Sequence, residues 1–309
     1  MTKIFMMHPD MKSLFPQCPD DWEFVDYSRH RALKSHPIDS EVEVLLSASI
    51  EKIDLELLDR LPNLKLIASI SAGYSHIDLE ECKARDISVT NAPSMNSGDV
   101  ADLAVTMMMS LLLSVPRNHS FILDGKWVNE SAFIRNSIRN TPIGIVGLGS
   151  IGIEVAYRLD SFGMDVKWWG PREKRETQFS YVSSLSELAH QCQGLIICCR
   201  PNESTNHLID QTILDELGGK GVIVNVSRGS VIDESTLIDY LKSEKIAGAG
   251  LDVFDSEPTS PTMWSNVPNV LLSPHQGGST YEALFAQANL TQKNIENYIK
   301  GNSLLSSVF

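Results

Sequence analysis

The feature that most constrains this chain is a glycine loop, Gly147-Leu-Gly149-Ser-Ile-Gly152. An apolar run that predicts a strand precedes it, and an amphipathic stretch that predicts a helix follows. In such a loop Gly147 permits a tight turn, Gly149 lets the backbone approach a pyrophosphate, and Gly152 allows close helix–strand packing. The helix N-terminus then offers unpaired N–H groups to phosphates. The loop therefore predicts a dinucleotide-binding unit formed by Gly147, Leu148, Gly149, Ser150, Ile151 and Gly152.

Short apolar runs alternate with helical patterns along the whole chain, which is typical of parallel sheets covered on both faces. The first series of predicted strands comprises 3–8, 42–48, 64–71 and 87–91. The second comprises 143–146, 165–169, 195–199, 222–226, 248–253 and 270–272. A long helix at 98–115, stopped by Pro116, separates the two series, and a last helix at 280–300 is expected to return to the first domain. The expected fold is α/β: two Rossmann-like domains, one flavodoxin-like and one dinucleotide-binding, with parallel sheets and a cleft between them.

Composition excludes several classes of function. The formal net charge of −13 argues against general nucleic-acid binding, which needs a basic face. The most apolar stretch, 104–115, is too short to span a bilayer, and the first ten residues lack the apolar core of a signal peptide. Five cysteines without paired metal-ligand spacing indicate a reduced protein without a metal site. We expect a cytoplasmic protein that binds neither membrane nor nucleic acid.

A basic segment stands where a carboxylate would bind the ribose hydroxyls of NAD, about twenty residues after the glycine loop. The predicted strand there ends in WWGPREKR, with Gly170 in place of the acid. Without an acid to repel it, a 2′-phosphate can pair with Arg172 and with Lys174 or Arg175. The sequence thus favours NADP, with NAD possible. The alternative interpretation is a solvated charged turn.

Three chemically suggestive side chains follow strands of the second series, at the edge where ligands bind in an open α/β sheet. Arg228 lies in VNVSRGSVIDE, Glu257 in GLDVFDSEP and His275 in LLSPHQGG. Each has an ordinary explanation by itself, as a surface or loop residue. An arginine, an acid and a histidine on neighbouring strand ends instead indicate acid–base chemistry beside a bound anion.

These motifs, taken in order, resemble the D-isomer-specific 2-hydroxyacid dehydrogenase family. The resemblance begins near Val42 and includes LPNLKLIASISAGYSHIDLEECKARDISVTNAP, SGDVADLAVTMMMSLL, the glycine loop, NVSRGSVID, GLDVFDSEP and STYEA. It is strongest to NADPH-dependent hydroxypyruvate/glyoxylate reductases. It implies a substrate domain over 1–97 and 281–309 and a cofactor domain over 98–280. It also implies a homodimer, with Trp127 at or near the interface.

The resemblance further assigns roles to individual residues. It implies that Arg228 binds the carboxylate of a small 2-keto or 2-hydroxy acid. His275 is then the general acid–base, and Glu257 orients its ring and favours the charged form. The substrate is expected to contact Ser49, Ala72, Gly73, Tyr74, Arg228 and His275, with Ser47 beside them. Further cofactor contacts are expected at Cys199, Arg200, Val226, Ser227, Asp252, Gly277 and Gly278.

A second class of function stays open at this point. The family's transcriptional corepressors bind a dinucleotide and recruit partners without significant turnover. Retention of Arg228, Glu257 and His275 favours the enzyme. The presence of Glu257 also disfavours a formate dehydrogenase, in which a glutamine accompanies the histidine.

Overall fold

The computed structural model describes residues 2–31, 33, 35–48 and 52–309. The strands are β1 Thr2–Met6, β2 Trp22–Asp26, β3 Val44–Ser47, β4 Leu66–Ser69, β5 Ser88–Thr90, β6 Pro142–Val146, β7 Asp165–Trp169, β8 Ser180–Tyr181, β9 Gly194–Ile197, β10 Val222–Asn225, β11 Gly248–Leu251 and β12 Val270–Leu272. The α-helices are α1 Ser28–Arg31, α2 Leu55–Arg60, α3 Leu79–Ala84, α4 Ser97–Leu112, α5 Val115–Leu123, α6 Ser150–Ser161, α7 Leu185–Gln191, α8 Gln211–Leu217, α9 Glu234–Lys242, α10 Pro261–Trp264 and α11 Tyr281–Ile299. Short 3-10 helices cover Pro9–Leu14, Pro37–Glu41, Lys126–Val128, Glu203–Thr205 and Gly229–Val231.

The chain forms two compact units. Unit 1 comprises Met1–Asn96 with Ser279–Phe309, and unit 2 comprises Ser97–Gly278. These bounds differ by one or two residues from those expected from the sequence.

Unit 1 contains a five-stranded parallel sheet in the order β2-β1-β3-β4-β5. This is the flavodoxin-like order, in which the chain reverses direction beside the first strand. The central strands β3 and β4 are buried along their whole length, because helices cover both faces of a parallel sheet. Helix α11 packs in this unit, where the Thr291 hydroxyl donates to the Ser69 carbonyl.

Unit 2 contains a seven-stranded parallel sheet in the order β12-β11-β10-β9-β6-β7-β8. Numbered from β6, this is the 3-2-1-4-5-6 order of a dinucleotide-binding sheet with one further strand at the edge. Strands β9, β10 and β11 are fully buried and end side by side with their carboxyl ends at one edge. The predicted α/β class and the two types of parallel sheet are confirmed.

The prediction that Pro116 stops the long helix is wrong. Helix α4 ends at Leu112, and Pro116 lies in the first turn of the separate helix α5. The bend between the two helices occurs at Ser114, whose backbone is left-handed with φ 55°. Proline is tolerated in a first turn because the N–H it lacks would have no partner inside the helix.

Within the described residues, no single helix is long and apolar enough to cross a membrane. Helices α4 and α5 reach that length and composition together, with a bend of 55° between them.

Candidate active site

The glycine loop joins β6 to α6, and two of its glycines are required by close contacts. Gly147 has φ +96°, and a Cβ added there would lie 2.6 Å from the Cys199 Cα atom. A Cβ at Gly152 would lie 2.2 Å from the Gly147 carbonyl oxygen. Any side chain at either position would push the loop away from β9 or from α6, so both glycines are needed to shape the turn.

Gly149 differs, because no atom lies within 4 Å of a Cβ added there. It is the N-cap of α6, and Ser150 and Ile151 follow in the first turn. The space in front of this helix N-terminus is therefore open, and the N–H groups of the first turn have no partners inside the helix. This arrangement fits a pyrophosphate, which would approach the backbone at Gly149.

A cavity of about 630 Å³ lies beside the glycine loop. Its wall includes Leu148, Gly149, Ser150, Ile153, Glu173, Lys174, Arg175, Glu176 and Thr177. The Lys174 ammonium donates to the Leu148 carbonyl oxygen at 2.5 Å. Arg172 is exposed and is not part of this wall. The structure therefore brings Lys174 and Arg175 to the loop, and it leaves Arg172, the first candidate from the sequence, outside the cavity.

Gly170 also has a packing role. It is buried, and a Cβ there would lie 3.3 Å from the Trp168 ring. Its carbonyl oxygen accepts a hydrogen bond from the Tyr181 hydroxyl at 3.1 Å. The acid expected in an NAD site is thus replaced by a residue that packs under aromatic rings.

Cys199 and Ser227 connect the segments that follow β9 and β10. The Ser227 hydroxyl donates to the Cys199 carbonyl oxygen at 2.5 Å. Burial raises the pKa of the Cys199 thiol to about 11, so the thiol stays protonated at neutral pH. Val226 is buried between β10 and Ser227, and Arg200 is exposed beyond Cys199.

Arg228 lies on a turn held by Asn225, the last residue of β10. The buried Asn225 amide accepts from the Ser227 N–H at 3.0 Å and donates to the Arg228 carbonyl at 2.9 Å. One N–H of the guanidinium donates to the Ser227 carbonyl oxygen at 2.6 Å, and the side chain is half-exposed. Asn225 was not among the residues predicted from the sequence, although a polar residue that ends a buried apolar strand is a recognisable signal.

His275 and Glu257 form a pair. The imidazole Nδ1 lies 2.6 Å from Glu257 Oε2, and Glu257 Oε1 accepts from the Phe254 N–H at 3.1 Å. Because an ionised carboxylate can accept but not donate, Nδ1 carries the proton of this contact. Nε2 is then the ring nitrogen that can exchange a proton with a ligand. The two side chains are 43% and 36% exposed, so a ligand can reach the ring.

Asp252 holds the segment that follows His275. Its two carboxylate oxygens accept from the Gln276 N–H at 2.8 Å and the Gly277 N–H at 2.9 Å. His275 itself has φ 54°, a left-handed conformation that costs a non-glycine residue free energy. Its neighbours' N–H groups are fixed by Asp252, so the carboxylate stabilises this conformation. Gly278 follows and is half-buried. Cofactor contact by Asp252, Gly277 and Gly278 stays a prediction.

Among the predicted substrate residues of unit 1 that the structure describes, Ser47 is the last residue of β3, and Ala72, Gly73 and Tyr74 follow β4. Ala72, Gly73 and Tyr74 form a half-buried loop, and the Ala72 carbonyl accepts from the Asn91 side chain at 2.7 Å. Ser47 Oγ lies 3.4 Å from Nε2 of the buried His76. Ser49, also predicted to bind substrate, lies outside the described residues. Substrate contact by these residues stays a prediction.

In the part of the chain that the structure describes, no group of three or more His, Cys, Asp or Glu side chains is placed to hold a metal ion.

The chain is similar to proteins of one enzyme family, both in sequence and in structure. Residues 105–277 match the NAD-binding domain of D-isomer-specific 2-hydroxyacid dehydrogenases. A glyoxylate/hydroxypyruvate reductase A of Arabidopsis thaliana is 36% identical over 255 residues, which is 82% of each chain. A 2-ketogluconate reductase of Gluconobacter oxydans is 36% identical over 253 residues, again 82% of each chain. The crystal structure of the NADPH-dependent glyoxylate/hydroxypyruvate reductase of Sinorhizobium meliloti with citrate is 30% identical, with a TM-score of 0.88 over 100% of this chain and 98% of that one.

Proposed function

The chain belongs to the D-isomer-specific 2-hydroxyacid dehydrogenase family, and on that premise we propose that it reduces a small 2-keto acid to the D-2-hydroxy acid with NADPH. The substrate is of the glyoxylate or hydroxypyruvate type. The observation that carries the proposal is the 2.6 Å contact between His275 Nδ1 and Glu257 Oε2. The two residues follow β12 and β11, and Arg228 follows the adjacent β10.

Each of these residues meets one requirement of the reaction. When bound, the reduced nicotinamide supplies the hydride that adds to the keto carbon. The keto oxygen then gains negative charge, and His275 Nε2 gives it a proton. Glu257 accepts a hydrogen bond from the other ring nitrogen, so the ring keeps its orientation. The Arg228 guanidinium pairs with the substrate carboxylate in two parallel hydrogen bonds, a geometry that lysine cannot supply.

The preference for NADPH is supported by charge and space beside the glycine loop. The residue directly after β7 is Gly170 rather than an acid, and Lys174 and Arg175 line the cavity nearby. Glu173 and Glu176 share that wall and reduce its positive charge. A 2′-phosphate bound there would be attracted by Lys174 and Arg175 and repelled by these two carboxylates. The relative from Sinorhizobium meliloti is described as NADPH-dependent, which agrees with the proposal.

We further propose a homodimer formed through the segment 115–138. Several of its large apolar side chains are exposed in the single chain, including Trp127 at 63% and Ile134 at 100%. Exposed apolar groups of this size on one segment are typical of a covered interface.

The test is a substrate panel with the purified protein. Reduction of glyoxylate, hydroxypyruvate and larger 2-keto acids is followed through oxidation of NADPH or NADH. His275→Gln should abolish turnover while cofactor binding is retained. His190→Gln is the matched control, because His190 also contacts a glutamate in unit 2, with Nδ1 3.1 Å from Glu216 Oε2. Cofactor binding without turnover of any keto acid would instead support the dinucleotide-sensing alternative.

A further inference from the structure

Glu234 is a buried carboxylate to which the proposed reaction assigns no role. It is the first residue of α9 and is 8% exposed. Burial raises the pKa of its carboxyl group, and the nearby Asp255 carboxylate raises it further. A backbone hydrogen bond opposes both effects, since Glu234 Oε2 accepts from the Asp255 N–H at 3.2 Å. Glutamate is rarely buried unless it is paired, and the partner of Glu234 is the Asp255 N–H.

The peptide that Glu234 holds belongs to the segment that carries Glu257. One residue earlier, the Phe254 N–H donates to Glu257 Oε1 at 3.1 Å. The other oxygen of Glu257 lies 2.6 Å from His275 Nδ1. A continuous path therefore leads from Glu234 to the ring of His275, through hydrogen bonds, the backbone of Phe254 and the Glu257 carboxylate.

Gly229 packs against the same peptide. A Cβ added at Gly229 would lie 1.9 Å from the Phe254 carbonyl carbon and 2.2 Å from the Asp255 nitrogen. The residue directly after Arg228 thus lies against the peptide that Glu234 binds. Both contacts lie within three residues of Glu257, and the segments that follow β10 and β11 meet at this point.

We propose that Glu234 is a positioning residue, which fixes the Phe254–Asp255 peptide so that Glu257 keeps the His275 ring oriented. Its effect on turnover rests on the proposed function; its effect on the His275 ring does not. The charged groups around this contact are Asp255 itself, whose carboxyl pKa is raised by burial, together with Asp233 and His207. Asp233 raises the pKa of Asp255 and His207 lowers it.

The first experiment separates positioning from simple stabilisation. Glu234→Ala removes the acceptor, whereas Glu234→Gln keeps an oxygen that can accept the Asp255 N–H. We expect kcat for keto-acid reduction to fall roughly 3- to 10-fold in the alanine variant, the equivalent of one hydrogen bond, with little change in the KM for NADPH. The glutamine variant should retain most of the rate. Asp239→Asn, at an exposed acid of the same helix, is the matched control and should change neither quantity.

A double-mutant cycle adds a readout that stability alone does not move. Glu257→Gln weakens the contact between the carboxylate and the His275 ring, and the fall in kcat is measured for this variant by itself. In the Glu257→Gln background, Glu234→Ala should cause no further fall in kcat, because both changes act through one contact. An unchanged kcat in Glu234→Ala, or falls in kcat that multiply in the double variant, would overturn the inference.

An NMR measurement keeps this result separate from the proposed function. The ring resonances of His275, assigned by comparison with His275→Ala, should change between wild type and Glu234→Ala but not in Asp239→Asn. If the wild type reduces no keto acid, the proposed function fails, and the ring resonances still decide whether Glu234 acts on His275. If Glu234→Ala unfolds at the assay temperature, Glu234→Met replaces it, since methionine fills the volume without an oxygen acceptor. Unaltered His275 resonances in a folded variant would refute the coupling.

Discussion

Gly149→Ala should weaken cofactor binding without weakening the fold. No atom lies within 4 Å of the added Cβ, and the residue's φ of −82° and ψ of −159° suit alanine. Alanine restricts the unfolded chain, which stabilises by about 0.4–1 kcal/mol. It is a poorer N-cap than glycine, which costs a similar amount, so the two effects nearly cancel. The melting temperature should therefore change little.

The effect on binding is expected to be large, because the methyl group occupies the space through which a phosphate reaches the backbone. Loss of one hydrogen bond to a charged group costs about 1.5–3 kcal/mol. This corresponds to roughly 10- to 150-fold weaker binding of NADPH. Isothermal titration calorimetry measures the affinity, and circular dichroism measures the melting temperature of the same samples.

Two further glycines provide the contrast. In Gly152→Ala the Cβ would lie 2.2 Å from the Gly147 carbonyl oxygen, so overpacking of about 1–3 kcal/mol should lower both stability and affinity. In Gly219→Ala the nearest atom is 3.9 Å away, and neither quantity should change. Wild-type affinity in Gly149→Ala would refute the assignment of this loop to the phosphates.

Arg172→Ala should raise the KM for NADPH far more than that for NADH; equal effects would exclude a 2′-phosphate role for this side chain. Light scattering at micromolar concentration should give the mass of a dimer, with Trp127 fluorescence typical of a buried ring, and a monomeric mass would contradict the proposed interface. Arg228→Lys should lower kcat/KM mainly through a higher KM for the keto acid, and an unchanged KM would argue against carboxylate pairing. Glu257→Gln should lower kcat for keto-acid reduction with little change in the KM for NADPH, because the His275 ring loses the carboxylate that holds its orientation; an unchanged kcat would exclude that role. The free energy of unfolding should decrease as pH falls from 6.5 to 4 because of His76. Burial lowers the pKa of His76 to about 4, so in this range the unfolded chain binds a proton that the folded chain does not. The loss should reach at most roughly 3 kcal/mol in urea unfolding, and a curve of the same slope for His76→Asn would contradict it.

The cavity beside the glycine loop is lined by two acids and two cations, so its net charge by itself does not select NADPH over NADH. Lys174 already donates to the Leu148 carbonyl, so a 2′-phosphate would compete with a contact that the chain makes by itself. Titration of NADPH and NADH against Lys174→Ala would show whether this side chain contributes to the selectivity or mainly holds the loop.

The sequence by itself determined the class of fold and the central strands. Parallel strands are buried on both faces, so they appear as continuous apolar runs, and β7 and β12 begin and end where the sequence predicts. Strands β2 and β8 were missed. Each lies at the edge of its sheet, where burial is partial and polar residues are tolerated, so neither leaves an apolar run to recognise.

The sequence also predicted the order of the site residues, because βα units of an open sheet bring successive strand ends to one edge. It predicted the Glu257–His275 contact through the family resemblance. It did not predict how these residues are held. Asn225, Asp252 and Glu234 act through hydrogen bonds to the backbone, and Asp252 and Glu234 reach partners more than twenty residues away. No local pattern encodes such partners, because loop conformation and burial decide which N–H each carboxylate or amide reaches. The tertiary structure alone determined that Lys174, rather than Arg172, contacts the glycine loop.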